Sequence, residues 1–152
     1  MIKRITNPSE FKTLMDDIFD LFELENEQMG HALLKHNKEY IINAFADKAI
    51  LVWDFFVWAN INNNGKFDGI IAFLNNKNEK FGEEIFTEYI WLSKNSMAGG
   101  KLLGTAIKFA RKKEFKYIIM NTTVKHPKSA KIGRFYEKMG FLKDSISYIA
   151  KL

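Results

Sequence analysis

The sequence predicts a mixed fold of the α/β (α+β) class, in which helices and strands succeed one another along the chain. Three features predict it: an amphipathic helical pattern near the start, two apolar segments joined by an Asn-Asn-Asn-Gly turn, and two later helical patterns interleaved with strands. The chain has 152 residues, the usual size of one folding unit, so we expect residues 1–152 to form a single domain.

Composition narrows the class of protein. Hydrophobic residues make up 47% of the chain and charged residues 27%, which is ordinary for a protein that packs a core in water. There is no cysteine, which excludes disulfides, thiolate metal ligands and a cysteine nucleophile. The start lacks the apolar run of a signal peptide, and later apolar runs are too short to cross a bilayer. We therefore expect a cytoplasmic protein without a membrane partner.

The charge is distributed unevenly along the chain. Lys and Arg outnumber Asp and Glu by 23 to 18, and the basic residues concentrate after Lys94. This asymmetry favours an anionic partner for the C-terminal half, either a polyphosphate cofactor or a nucleic acid. The simpler alternative is that the charge serves only solubility.

The first elements are predicted to be helical. The segment Asn7-Pro8-Ser9-Glu10 is a helix start signal. Apolar residues then recur at helical spacing at Phe11, Leu14, Met15, Ile18, Phe19 and Phe22. A second helical region follows from about Glu27 to Ala46, with a break predicted at Gly30 and the polar residues 36–38.

Strands are predicted in the middle of the chain. A nearly continuous apolar run from Ala49 to Ala59 favours a strand buried on both faces. The turn Asn62-Asn63-Asn64-Gly65 and a strand from Phe67 to Leu74 complete a hairpin, because Asn and Gly accept the positive φ of tight turns. A polar loop at residues 75–83 then leads to a strand from Ile85 to Leu92.

Helices and strands alternate in the last third. A glycine-containing loop opens a helix from about Gly99 to Lys113, and a short strand follows from Tyr117 to Met120. A helix from about Lys128 to Lys138 and a strand near Ser145 to Ala150 complete the order α-α-β-β-β-α-β-α-β.

Two segments resemble the GCN5-related N-acetyltransferase (GNAT) family. The more specific one is Phe135-Tyr136-Glu137-Lys138-Met139-Gly140-Phe141. The other, Lys94-Asn95-Ser96-Met97-Ala98-Gly99, stands at the family's pyrophosphate loop, Gln/Arg-x-x-Gly-x-Gly/Ala; only its last glycine matches, and Met97 replaces an expected glycine. The resemblance covers about Asn60 to Leu152 and extends to the N-terminal third through the order of elements alone. It implies a central, mostly antiparallel sheet flanked by helices.

The resemblance also implies a function. It indicates an acyl-CoA-dependent N-acyltransferase, most simply one that uses acetyl-CoA and acts on a small-molecule or protein amine. Transfer would be direct, because no cysteine can carry the acyl group. Two alternatives stay open: a catalytically inactive binding or structural module, which Lys94 and Met97 favour, and an acetyltransferase acting on aminoacyl-tRNA. The oligomeric state is equally open, a homodimer included.

The cofactor would bind mainly where the third predicted strand meets the following helix. A helix start presents free N–H groups and a partial positive charge, and glycine lets a phosphate approach them. The residues expected to contact coenzyme A are Trp91, Leu92, Ser93, Lys94, Ala98, Gly99, Gly100, Lys101 and Lys131. Alternatively, the two glycines serve only to turn the chain from strand to helix.

Tyr136 is the first candidate for acid–base chemistry. In the family, a tyrosine at this place lies near the thioester sulfur, and a phenol with a pKa of about 10 can protonate a departing thiolate. The alternative is a tyrosine that only packs in the core. No metal site is expected, since His31, His36 and His126 lack ligand spacing.

Glu88 is the second candidate. Period-two alternation predicts that it shares a strand face with Phe86, Ile90 and Leu92. A carboxylate among apolar neighbours has a raised pKa, which suits a general base for an ammonium substrate. The alternative is an edge or ion-paired glutamate. Asp54 and Glu84 are the reserve candidates for the base.

Overall fold

A computed structural model describes residues 1–28, 37–51, 54–78, 82–122 and 127–143. Within these ranges it contains a five-stranded sheet of order β1-β2-β3-β4-β5 and four helices. The strands are β1 (Ile2–Ile5), β2 (Phe55–Ile61), β3 (Phe67–Asn78), β4 (Glu83–Ser93) and β5 (Tyr117–Ile119). The helices are α1 (Pro8–Gln28), α2 (Lys38–Leu51), α3 (Ser96–Lys112) and α4 (Ser129–Lys138).

The sheet is mixed. Strands β1 to β4 pair antiparallel, and β5 pairs with β4 in parallel. The parallel pair follows from the connection through α3, because a strand–helix–strand crossover returns the chain in its original direction. The expected α/β (α+β) fold, a mostly antiparallel sheet flanked by helices, is confirmed.

The predicted hairpin is also confirmed. Gly65 has a φ of 76°, a left-handed value that a side chain would strain. The Asn62 side-chain oxygen accepts hydrogen bonds from the N–H groups of Asn64 and Lys66 at 2.9 and 3.1 Å. The turn is therefore held by the residue types that predicted it.

Helices cover both faces of the sheet. Phe11, Ile18 and Phe45 join α1 and α2 to one face, called here the α1 face. Leu102 and Tyr136 join α3 and α4 to the other, called here the α3 face. Most of the predicted apolar stripe of the first helix is confirmed: Phe11, Leu14, Met15, Ile18 and Phe22 are buried, and Phe19 is partly buried.

Three elements differ from expectation. Strand β3 continues to Asn78, into residues predicted to form a polar loop. Residues 49–51 end α2, and β2 begins only at Phe55. The predicted strand start was wrong because a short apolar run is compatible with either a buried helix or a buried strand. Strand β1 was not predicted, since Ile5 is its one buried residue and pairing with β2 holds it in the sheet.

Strand β4 contains a bulge at Tyr89. Ala72 of β3 pairs with Ile90, whereas the next residue, Phe73, pairs with Glu88. Tyr89 is therefore an extra residue on β4. It packs against Phe45 and Phe55 on the α1 face, with ring centroids 5.4 and 5.5 Å away.

The bulge changes which side chains share a face. Glu88 stands opposite Phe73, which belongs to the α3 face, and cross-strand partners share a face. Ile90 and Leu92 pack on the α1 face, whereas Trp91 packs on the α3 face. The expectation that Glu88 shares a face with Ile90 and Leu92 was wrong, because strict alternation assumes that no residue is inserted.

Several expectations lie outside the described residues: the break at Gly30, the three histidines and the strand near Ser145 to Ala150. Across the ranges that are described, no helix has both the length and the apolar character needed to traverse a bilayer.

Candidate active site

Strands β4 and β5 separate halfway along β4. Strand β5 pairs with β4 only at Ile85, Phe86 and Thr87. Within the described part of the chain, no strand pairs with this side of β4 from residue 88 to residue 93. An unpaired edge offers backbone hydrogen-bonding groups to an extended ligand.

Asn121 joins Glu88 to Tyr136 at this divergence. The Asn121 N–H donates to Glu88 Oε2 at 2.6 Å, and its side-chain amide donates to the Glu88 carbonyl oxygen at 3.1 Å. The Tyr136 hydroxyl donates to the Asn121 carbonyl oxygen at 3.3 Å. The two residues predicted for acid–base chemistry are thus linked through one backbone unit.

Burial raises the pKa of Glu88 to about 7. The hydrogen bond from Asn121 opposes this shift, and the negative charge of Glu25 adds to it. A carboxyl with this pKa is about half ionised at neutral pH, so it can both accept and release a proton there.

Tyr136 is 7% exposed. Burial raises the pKa of its phenol, and the nearby charge of Glu88 raises it further. The hydroxyl therefore keeps its proton and acts as a donor. Its ring lies 6.0 Å from Trp91 and 5.6 Å from Phe141, so packing fixes its position.

Glu25 belongs to the same electrostatic group, although the sequence reasoning missed it. It follows Phe22 by three residues and so continues the buried stripe of α1. Burial raises the pKa of its carboxyl, and its charge acts on Glu88. The sequence did hold a signal for it, because Glu25 is an acidic residue at a position where the helical spacing of α1 predicts a buried apolar side chain.

Asn121 was missed as well. It comes two residues after β5, and the ends of neighbouring parallel strands meet at the same edge of a sheet. The predicted crossover therefore held a signal for it: a polar residue directly after the strand that returns beside Glu88.

The first turn of α3 is capped by its own loop. The Asn95 side-chain oxygen accepts a hydrogen bond from the Ala98 N–H at 2.8 Å, and the Asn95 carbonyl accepts one from the Gly99 N–H at 3.1 Å. The N–H groups of Ser96 and Met97 have no such partner among the described residues. Met97 itself is 70% exposed, so its side chain extends into solvent.

The two glycines have different surroundings. Gly99 is buried, and a Cβ there would lie 3.4 Å from the Ser93 Cβ and 3.5 Å from Trp91. Its carbonyl accepts the Trp91 indole N–H at 3.2 Å. Gly100 is exposed, and a Cβ there would meet no atom within 4 Å. Gly99 therefore packs α3 onto β4, and Gly100 leaves open space beside the helix start.

The basic residues expected at the cofactor site are dispersed. The Lys94 ammonium lies 3.0 Å from Asp20 Oδ2 and 3.2 Å from the Asp17 carbonyl oxygen, so α1 holds it. Lys101 on α3 and Lys131 on α4 are exposed and form no ion pair with a described residue.

The remaining expected contacts lie at the end of β4. Leu92 directs its side chain to the α1 face, so only its backbone can meet a ligand at the open edge. The Ser93 hydroxyl donates to the Asn95 carbonyl oxygen and shapes the loop. Together with Trp91, Ala98 and the glycines, these residues form one continuous region at the start of α3.

The reserve candidates occupy another place. Asp54 and Glu84 line a cavity of about 380 Å³ together with Arg4, Asn75 and Lys113. Glu84 precedes Glu88 by four strand residues, which is roughly 13 Å along β4. Neither acid joins Glu88 and Tyr136.

Comparison with known proteins gives structural matches only. No protein-family model matches the sequence, and no curated protein matches it either. A mutant of the BH1408 protein from Bacillus halodurans superposes with a TM-score of 0.78 at 9% identity, covering 100% of this chain and 99% of the other. A GNAT family acetyltransferase from Staphylococcus aureus gives 0.71 at 13%, covering 100% and 98%.

An aminoglycoside acetyltransferase from an uncultured soil metagenomic sample, solved with sisomicin, also gives a TM-score of 0.71, at 14% identity and covering 100% of this chain and 95% of the other. Each of these similarities covers the whole of this chain. The protein has the fold of the GNAT acetyltransferases.

Proposed function

We propose that this protein is an acyl-CoA-dependent N-acyltransferase that transfers the acyl group, most simply acetyl, directly to an amine. The convergence of Glu88 and Tyr136 on Asn121, at the unpaired edge of β4, carries the proposal. Direct transfer needs a proton acceptor for the amine and a proton donor for the leaving group, and this edge presents one of each. The likeness to acetyltransferases of the same fold supports it.

Three features of the chain fit coenzyme A. The start of α3 offers the N–H groups of Ser96 and Met97 to phosphate oxygens, and Gly100 leaves room beside them. The open edge of β4 offers backbone groups of residues 91–93 to an extended arm. Exposed Lys101 and Lys131 would attract the remaining phosphate. When bound, acetyl-CoA supplies the acyl group as an activated thioester.

The chain's own residues then handle the protons. Glu88, with its pKa of about 7, takes a proton from the acceptor ammonium at its carboxylate, directly or through water. Tyr136 holds a proton at its hydroxyl, because burial and the Glu88 charge raise its pKa. Asn121 fixes the distance between the two groups and so acts as a positioning residue.

The acceptor is proposed to be a primary amine on a small molecule or a protein. One structural neighbour is an aminoglycoside acetyltransferase in complex with sisomicin, and another is a ribosomal-protein-alanine N-acetyltransferase from Brucella melitensis. Both are acetyltransferases, which supports an amine acceptor here without selecting one class.

Calorimetric titration with acetyl-CoA tests the proposal. Gly100→Glu should weaken binding at least about tenfold, because it places a carboxylate in open space beside the proposed phosphate site. Gly100→Gln is the matched control, with nearly the same volume and no charge. Gly99 is unsuitable for the test, because a large side chain there would clash with Ser93 and Trp91 and disturb folding.

Acetyl transfer to a panel of amines, followed by release of free thiol, completes the test. Wild type should acetylate at least one amine, and Glu88→Gln should lower its kcat about 100-fold or more. Absence of acetyl-CoA binding by wild type at millimolar concentration would refute the enzyme. Equal binding by the two Gly100 variants would instead refute the proposed phosphate site at the start of α3, because the phosphates would then lie elsewhere.

A binding module without catalysis is the second candidate. Two observations favour it: Asp20 and the Asp17 carbonyl hold the Lys94 ammonium, and the Asn95 side chain already uses the Ala98 N–H. Failure of the folded protein to bind acetyl-CoA at saturating concentration would favour this module over the enzyme.

A further inference from the structure

We infer that the ring of Tyr89 is the surface against which the acceptor rests, and that the acceptor is a primary amine with an aromatic or bulky apolar group near its nitrogen. Tyr89 would then be a specificity-determining residue of the candidate site. The inference rests on the proposed acyl transfer and adds the class of acceptor to it. It starts from the bulge in β4.

Tyr89 exposes part of an aromatic ring on a strand that lies inside the sheet. The residue is 42% exposed, although β4 has β3 on one side and β5 on the other. The two rings that it packs against are buried, since Phe45 is 4% exposed and Phe55 is 5% exposed. Tyr89 is therefore the accessible member of this group of three rings, called here the aromatic platform.

Edge-to-face contacts hold the aromatic platform together. The Tyr89 ring centroid lies 5.4 Å from that of Phe45 and 5.5 Å from that of Phe55, at interplanar angles of 73° and 89°. Phe45 and Phe55 are themselves 5.6 Å apart at 78°. Aromatic rings attract one another in this geometry. The platform thus offers a ligand a ring of fixed position, which lowers the entropy lost on binding.

The bulge places the aromatic platform next to the proposed base. Glu88 directly precedes Tyr89, so their Cα atoms are about 3.8 Å apart. Glu88 stands opposite Phe73 of the α3 face, whereas the inserted Tyr89 packs on the α1 face. The Glu88 carboxylate accepts the Asn121 N–H at 2.6 Å, just beyond the end of β5. The base therefore lies at the edge of β4, and the platform adjoins that edge from the α1 face.

The cofactor and the acceptor would approach this edge from opposite faces. Trp91 and the buried side of α3, which belong to the proposed cofactor site, lie on the α3 face. An acceptor that reaches the thioester from the other side arrives over the α1 face, where Tyr89 is the residue beside Glu88. Its nitrogen would meet Glu88 at the edge while its carbon skeleton lies against the Tyr89 ring.

The ring selects the acceptor through apolar contact. The nitrogen that is acylated must lose a proton to Glu88, so its charge cannot be what the ring retains. An aromatic or bulky apolar group beside the nitrogen covers the accessible face of Tyr89 and removes apolar surface from water. A small amine without such a group reaches Glu88 but leaves the ring in water, and this difference is the source of selectivity.

The test compares 2-phenylethylamine with ethylamine, two primary amines that differ by a phenyl group. Binding is measured by calorimetry in the presence of free coenzyme A, which carries no acyl group, so the result does not depend on catalysis. Tyr89→Ala and Tyr89→Gln remove the ring in two ways, and Tyr89→Phe removes only the hydroxyl. Tyr117→Ala is the matched control, because Tyr117 is an exposed tyrosine of the same sheet, on β5. Thermal unfolding of each variant verifies that it is folded.

Wild type should bind 2-phenylethylamine at least about tenfold more tightly than ethylamine. Tyr89→Ala and Tyr89→Gln should each reduce this ratio to about threefold or less, because the apolar contact is lost. Tyr89→Phe and Tyr117→Ala should keep the ratio, since both retain the ring at position 89. In transfer assays, the loss in Tyr89→Ala should appear in the KM for 2-phenylethylamine more than in kcat.

Failure of the inference is distinct from failure of the enzyme. Equal binding of the two amines by wild type, or binding of neither, overturns the role of Tyr89, and acetyl transfer by the same sample leaves the acyltransferase intact. A ratio that survives in the folded Tyr89→Ala or Tyr89→Gln variant, or that falls equally in Tyr117→Ala, overturns it too. Tyr89-dependent binding of 2-phenylethylamine without acetyl transfer overturns the enzyme and supports the aromatic platform.

Discussion

The indole N–H of Trp91 donates a hydrogen bond to the Gly99 carbonyl oxygen over 3.2 Å, which ties β4 to the first turn of α3. The same indole ring lies 6.0 Å from the ring of Tyr136 on α4. One side chain therefore connects the helix start proposed to bind phosphates with the proposed proton donor.

Trp91→Phe should lower the free energy of unfolding by about 1 kcal/mol, since it removes the hydrogen-bond donor to Gly99 and keeps an aromatic ring. Acetyl-CoA affinity should fall severalfold, because the start of α3 loses its anchor on β4. Urea unfolding and calorimetry measure the two effects. Unchanged affinity in a variant with the expected stability loss would show that this anchor does not position the cofactor site.

Tyr136→Phe should lower kcat about 100-fold while acetyl-CoA affinity stays within twofold, because only the donor hydroxyl is lost. The raised pKa of the phenol also predicts that wild type shows no alkaline limb from Tyr136 below about pH 10. Steady-state kinetics from about pH 6 to about pH 10 measure both. An unchanged kcat would remove Tyr136 from the chemistry.

Glu88 should make the protein less stable as pH rises. Its carboxyl has a pKa of about 7 when folded, above the value of 4.5 for an unperturbed glutamate. The folded state therefore holds a proton that the unfolded state has released, so this stability is complete below about pH 4.5 and is lost as pH rises through about 7.

Glu88→Gln should remove about 1–3 kcal/mol of that pH dependence, a value reduced to allow for the partial exposure of Glu88. Urea unfolding at about pH 5 and about pH 8 measures it. Equal slopes in wild type and variant would mean that Glu88 is ionised over the whole range.

Gly69→Ala should destabilise the protein by about 1–3 kcal/mol, because a Cβ there would lie 3.0 Å from Leu102 and 3.1 Å from the Leu92 carbonyl oxygen. Gly104→Ala should stabilise it by about 1 kcal/mol, since a Cβ there would meet no atom within 4 Å and glycine disfavours a helix interior. Thermal unfolding measures whether each substitution raises or lowers the stability of the protein. A destabilising Gly104→Ala would reveal a contact outside the described residues.

Lys94→Ala should leave acetyl-CoA affinity within twofold and lower stability by at most about 1 kcal/mol, since Asp20 and α1 already hold the ammonium. A double-mutant cycle with Asp20→Ala measures the coupling between the two residues. A tenfold loss of affinity in Lys94→Ala alone would mean that the ammonium leaves α1 to meet the cofactor.

Local pattern predicted most of the fold. The capping signal before Phe11, the Asn-Gly turn and the helical pattern of α3 each specify an element through short-range chemistry. Strand β1 and the end of α2 escaped prediction because pairing with β2 and burial determine them. Both the pairing of β1 and the burial that ends α2 depend on contacts with residues far away in the sequence.

The candidate site was predicted less completely. Glu88 and Tyr136 were identified from residue type and resemblance, and the structure brings them together on Asn121. Glu25 lies far before Glu88 in the chain, and no local pattern relates the two. Lys94 was expected at the phosphates, but an ion pair with α1 holds its ammonium instead.

Because Tyr89 is an extra residue, the alternation of side chains between the two faces of the sheet shifts at this position of β4. Before it, even-numbered residues such as Phe86 and Glu88 face α3; after it, odd-numbered Trp91 does. Deleting Tyr89 would restore regular alternation and leave Trp91 on the α3 side with its bond to Gly99, because the residue lost is the extra one. We therefore expect the pairing of this strand to tolerate the loss of Tyr89, which would remove the ring that packs against Phe45 and Phe55.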